Sequence, residues 1–174
     1  MGAARKTAAY LIFMNLMRGK LDGKGKRIGI VVSEFNEFIT KRLLASTVET
    51  LMRAGVTQKN VTTVWVPGSL EVPFFCKKVA SQVSKKPDVV IAIACVLRGD
   101  TFHYECVAHE LTRGISQAAL ETGIPVATAV ITADSLDQAI DRAGLKAGNK
   151  GRQAALAALE IADLNRRLMA SSKR

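Results

Sequence analysis

The chain has 174 residues, 48% hydrophobic and only 5% aromatic, a composition that predicts one aliphatic α/β domain with a substantial core rather than two domains. Lys plus Arg number 25 against 15 Asp plus Glu, and the formal net charge of +10 favours phosphate-bearing or otherwise anionic ligands. The basic residues are spread along the chain, denser only from Arg18 to Arg27 and at Arg166, Arg167, Lys173 and Arg174. No aromatic-interleaved motif accompanies them, so nucleic acid is not an expected partner.

Residues 1–26 read as an N-terminal arm. Arg5 and Lys6 precede the apolar run Ala8 to Met14, but no small-residue cleavage site follows and Arg18 closes the run. The run is too short to span a membrane, and Lys6 breaks the myristoylation pattern. Gly19, Gly23 and Gly25 predict mobility. The basic, acidic-poor start leaves organellar targeting open beside the expected cytoplasmic location. A domain over 27–169 and a basic tail over 170–174 complete the expected organisation.

Ile28–Ser33 is a continuous apolar strand, and Asn36 or Glu37 opens a helix with apolar Phe38, Ile39, Leu43, Leu44, Val48, Leu51 and Met52 that ends at Gly55. Val61–Val66 is the second strand, Pro67-Gly68-Ser69 its turn, and a helix follows from Leu70 or Glu71 to Gln82 with Pro73 in its first turn. Val89–Ala94 is short, apolar and rich in β-branched residues, as a parallel strand buried on both faces should be. Val107, Leu111, Gly114, Ile115 and Ala118 then recur at helical steps from about Thr101 to Thr122, where Gly123 and Pro125 stop the pattern. Pro125–Thr132 is the fourth strand, a helix capped by Asp134 or Ser135 runs to Ala143, and an Ala-rich helix spans Gln153 to Met169.

Four successive strand–helix units predict a flavodoxin-like, doubly wound parallel sheet flanked by helices. Ligands of such sheets bind beyond the carboxyl ends of the strands, where helix N-termini offer unpaired N–H groups. Neither GxGxxG nor a Walker sequence is present, which disfavours dinucleotides and nucleoside triphosphates.

The stretch Cys95–Glu105 ends a buried strand and opens a helix, and it carries an imidazole, His103, at the anion-binding turn. Asp100 reads equally well as an N-cap. His103, Cys106 and His109 fall at three-residue steps, but successive steps drift around the helix too far to serve one small metal ion, so no metal is expected. Cys76, Cys95 and Cys106 show no CxxC spacing, which fits a reducing compartment; Cys76 and Cys95 read as small core residues.

Four segments in order, Ser33-Glu34-Phe35-Asn36-Glu37-Phe38, Val66-Pro67-Gly68-Ser69-Leu70-Glu71-Val72-Pro73, Leu97-Arg98-Gly99-Asp100-Thr101-Phe102-His103-Tyr104 and Asp141 to Gly151, resemble the 6,7-dimethyl-8-ribityllumazine synthase family, over about Met17 to Leu164. The resemblance implies condensation of 5-amino-6-(D-ribitylamino)uracil with 3,4-dihydroxy-2-butanone 4-phosphate in riboflavin synthesis, with no cofactor. By motif position it implies His103 as the proton-transfer residue and Phe35 as the ring stacked on the pyrimidine. Ser69, Leu70 and Glu71 would meet the ribityl chain, and Cys95, Val96 and Leu97 the pyrimidine edge. Asp100, Thr101 and Arg142 would hold phosphate. It further implies a homo-oligomer built from pentamers, alone, paired or closed into an icosahedral shell, with each site shared between subunits and Thr128 and Arg142 supplied by the neighbour. The segment Tyr10 to Met17 would add a strand to that neighbour.

Thr128 stands where relatives often carry Phe, Glu34 where Arg is frequent, and Phe102 where a smaller or prolyl residue is common; none of these removes a catalytic group. A flavin- or lumazine-binding protein without turnover would keep Phe35 but would not need His103 or Arg142. A shell-forming scaffold would need neither.

Overall fold

The computed structural model describes residues 16–146 and 148–171. The expected roles of Met1–Asn15 and of Ser172–Arg174 lie outside the described residues. β1 (Ile28–Ser33), β2 (Val61–Val66), β3 (Val89–Leu97) and β4 (Val126–Ala133) form one parallel sheet in the order β2-β1-β3-β4. The helices are α1 (Glu37–Arg53), α2 (Val72–Ala80), α3 (His103–Thr122), α4 (Leu136–Arg142) and α5 (Lys150–Ser171). This is the flavodoxin-like α/β arrangement the strand–helix alternation predicts.

The alternation along β3 divides the core. Val89, Ile91, Ile93 and Cys95 join the cluster covered by α1, α4 and α5, whereas Val90, Ala92, Ala94 and Val96 join the one covered by α2 and α3. β3 is therefore buried on both faces, as its unbroken apolar sequence requires. The edge strand β2 is not: Thr62, Thr63 and Trp65 are exposed.

Several element ends shift from the sequence expectation for local reasons. Helix α3 starts at His103 rather than Thr101, and Asp100 does not cap it; Phe102 occupies the cap position with no side-chain hydrogen bond. Ser135 does cap α4, its Oγ accepting from the N–H of Gln138. Helix α5 begins at Lys150, three residues before the apolar pattern, because Asn149 Oδ1 accepts from the N–H groups of Gly151 and Arg152. Gly151 is buried there against α1: a Cβ would collide with the Leu43 carbonyl oxygen and come within 2.7 Å of Thr47 Oγ1.

Gly19 and Gly23 serve close approach rather than the mobility expected of them, whereas Gly25 has open space around it and a positive φ of 74°. A Cβ on Gly19 would strike the carbonyl of Glu160 on α5, and Gly23 donates its N–H to Ala54 O at 2.8 Å. Charge pins the same segment. Asp163 of α5, only 4% exposed, accepts the Lys20 N–H at 3.2 Å and faces Lys26 at 3.8 Å, itself 3% exposed. Arg166 reaches the same carboxylate at 3.2 Å and Arg167 at 3.8 Å, and Arg167 also donates to the Arg18 carbonyl. Burial pushes the Asp163 carboxyl upward, but the Lys20 N–H, Lys26 and Arg166 outweigh it and hold the group below the usual carboxylate range.

A depressed folded-state pKa contributes stability that is present above the unfolded value and lost as pH falls through the folded one. Asp163→Asn should therefore lower the urea midpoint at pH 7, and the gap from the unsubstituted protein should narrow as pH falls below about 4. A gap of constant size across that range contradicts the assignment. Gly151→Ala should cost about 1–3 kcal/mol in the same assay through overpacking at the α1–α5 crossing.

Candidate functional site

The sheet order reverses between β1 and β3, so the two strands lead to helices on opposite faces and a crevice opens beyond their carboxyl ends. The pairing of β1 with β3 ends at Val32↔Ile93, while β3 stays paired to β4 as far as Leu97↔Ala133. The turn after β1 then leans towards β2, with Glu34 N–H donating to Val66 O at 2.8 Å and Phe35 N–H to Pro67 O at 3.2 Å.

A cavity of about 340 Å³ lies in this crevice. Phe35 enters it from the β1–α1 turn; Ser69, Leu70 and Glu71 come from the β2–α2 turn. Cys95, Val96 and Leu97 supply the end of β3, and Thr101 and His103 the approach to α3. Nine of the residues expected at the site thus share one cavity. Asp100, Thr128 and Arg142 do not line it. Asp100 is exposed in the β3–α3 turn, and Thr128 is an exposed residue in the middle of β4, on the face opposite buried Ala127 and Ala129. Arg142 is the exposed last residue of α4.

Gly99 of the expected phosphate-binding turn lines the cavity too, and so do Gly68, Tyr104 and Val107, which are given no site role from the sequence. Val107 was legible in principle, because it follows His103 by four residues and so shares its helix face. Arg98 stacks over the Tyr104 ring at 5.4 Å and pairs with Asp134 at 3.4 Å, tying the β3–α3 turn to the end of β4.

The chemistry open to this arrangement follows from its parts. Phe35 is 65% exposed and offers an aromatic face to a planar ring. Ser69 and Glu71 supply a hydroxyl and a carboxylate for a polyol. With no side chain capping α3, the N–H groups of His103 and Tyr104 remain available to an anion, that of Glu105 donating to Phe102 O at 3.1 Å, and the His103 imidazole stands beside them to give or take a proton. Among the described residues no group of three or more His, Cys, Asp or Glu could hold a metal ion, and no helix is long and apolar enough to cross a membrane.

Burial pushes the Cys95 thiol up to about 11 and the Cys76 thiol up to about 12, so neither forms a nucleophilic thiolate near neutral pH. Cys106 is exposed. Titration of the native protein with a disulfide reagent at pH 8 should consequently modify no more than one thiol per chain, and all three should react after unfolding. Rapid native modification of Cys95 contradicts the wall assigned to it.

Residues 25–166 match the family model described as 6,7-dimethyl-8-ribityllumazine synthase.

Proposed function

This chain belongs to the 6,7-dimethyl-8-ribityllumazine synthase family, and on that premise we propose that it condenses 5-amino-6-(D-ribitylamino)uracil with 3,4-dihydroxy-2-butanone 4-phosphate, releasing phosphate and water. The observation that carries the reading is one cavity holding an aromatic face, a turn with a hydroxyl and a carboxylate, an open helix N-terminus and an imidazole. Phe35 stacks on the pyrimidine, whose edge meets the backbone of Cys95, Val96 and Leu97. Ser69, Leu70 and Glu71 take the ribityl chain.

The ketone phosphate enters beside α3, with Asp100, Thr101 and the first-turn N–H groups around its phosphate. Carbon–nitrogen bond formation, phosphate loss and ring closure each move a proton near neutral pH, and His103 is the group placed to transfer it. No cofactor takes part. Holding two substrates in register supplies most of the acceleration, because the reaction is bimolecular and its steps are intrinsically facile.

Thr128 and Arg142 are exposed away from the cavity of their own chain, which supports their serving a neighbour's site. On this reading the active unit is a pentamer or a multiple of pentamers, and the Arg142 guanidinium binds phosphate across the interface. The exposed edge strand β2 is where a neighbour's N-terminal segment would add a strand.

Purified protein mixed with both substrates should form lumazine saturably and well above the spontaneous rate. No acceleration by a correctly assembled oligomer refutes the proposal, leaving ligand binding without turnover or a scaffold. His103→Ala should lower kcat by about a hundredfold, the low end of what a positioned acid–base group supplies, and leave a rate above background. Arg142→Ala should raise KM for the butanone phosphate by about tenfold and leave KM for the pyrimidine nearly unchanged.

A further inference from the structure

Asn36 accepts two local penalties. It sits in the left-handed region at φ 57° and ψ 43°, a conformation shared by just one other non-glycine residue among those described, Lys85. It also occupies the cap position of α1 without using its side chain as a cap, although Asn is among the best capping residues. The side chain turns instead across the crevice, Nδ2 donating to the carbonyl oxygen of Cys95 at 2.8 Å. Strain of this kind persists where the surrounding structure enforces it, and it clusters at functional sites.

The bridge falls where the β1–β3 ladder has stopped. Past Val32↔Ile93 no further residue of β1 is paired with β3, and the Asn36 amide reaches the Cys95 carbonyl beyond that last pair. Phe35 is its immediate neighbour. Because that ring is 65% exposed, packing does little to fix its direction, which must come from the backbone of the turn. Bonds to Val66 and Pro67 hold the turn to β2, and the Asn36 bond alone ties it to β3.

We propose that Asn36 is a positioning residue: by spanning the crevice it holds the Phe35 ring, before substrate arrives, at a fixed distance from the end of β3. An ordered ring spares the aromatic substrate the cost of immobilising it. The kinetic part of the inference rests on the synthase reading; the structural part does not.

Two variants separate the bridge from the backbone conformation. Asn36→Asp keeps the size and the tolerance of a left-handed residue but removes the donor, and Asn36→Gly favours that conformation with no side chain at all. Each should raise KM for the ribitylaminouracil about fivefold, with kcat and KM for the butanone phosphate changing less than about twofold. In a Phe35→Ala background the same substitutions should shift the pyrimidine KM by less than about twofold, since the ring they position is gone.

A uniform rise in both KM values, or an undiminished effect without Phe35, would overturn the assignment. Amide exchange at Glu34 and Phe35 reads the bridge without substrate: it should quicken in both variants while the global unfolding midpoint holds. Unchanged exchange refutes the bridge even if turnover is normal. Absent turnover in the unsubstituted protein refutes the synthase reading, and exchange still decides the bridge.

Discussion

Parallel strands satisfy each other's backbone through evenly spaced bonds, and where such a ladder stops every freed donor and acceptor needs another partner. In this chain the ladder between β1 and β3 stops short while the bonding to β2 and β4 runs on, and the site occupies the gap, which one side-chain bond spans. Glu34 and Phe35 donate to the end of β2, Arg98 donates its N–H to Ala133 beyond β4, and the Cys95 carbonyl accepts from Asn36. The crevice thereby stays open with its walls tied on both sides, so a cavity and rigid surroundings coexist.

The excess positive charge is not concentrated in that cavity. Its lining holds Glu71 and His103 but no Lys or Arg, so an anion arriving there meets backbone N–H groups first. Cations do other work. Lys26, Arg166 and Arg167 converge on Asp163 to fasten the first described residues to the last helix, and Lys77 joins α2 to Glu121 of α3 at 2.6 Å. A net charge of +10 therefore says little about what the cavity binds.

Legibility followed the strength of the local pattern. β1 and β2 were placed to the residue, and β3 was recognised from an apolar run that both helical layers cover. Boundaries ruled by single polar side chains were readable only in part: Ser135 caps α4 as one of the two expected residues, but others were missed. Asn149 starts α5 by accepting two N–H groups ahead of the apolar repeat, and Asp100 resembles a cap that the chain leaves unused. The glycines at 19 and 23 have the composition of a loose arm, and only the neighbouring backbone of Glu160 and Ala54 reveals close contact. In the site, Tyr104 was hidden because it also fits an ordinary helix face, whereas the four-residue step from His103 made Val107 legible in principle. Thr128 and Arg142 enter the expected site through the family resemblance alone, and neither lines the cavity of this chain.

The fastening of residues 18–26 to α5 sets an order of events during synthesis. The first described residues of the domain to be synthesised have their partners, Glu160, Asp163 and Arg167, in the last described helix, well over a hundred residues later in the chain. The face of the sheet that α5 covers, including Ile91, Ile93 and Ala129, likewise waits for that helix. A nascent chain halted before Lys150 would expose both an unshielded aliphatic surface and the uncompensated Lys26 ammonium. Closure of the native core thus depends on α5, and the earlier strand–helix units by themselves leave part of one face of the sheet uncovered.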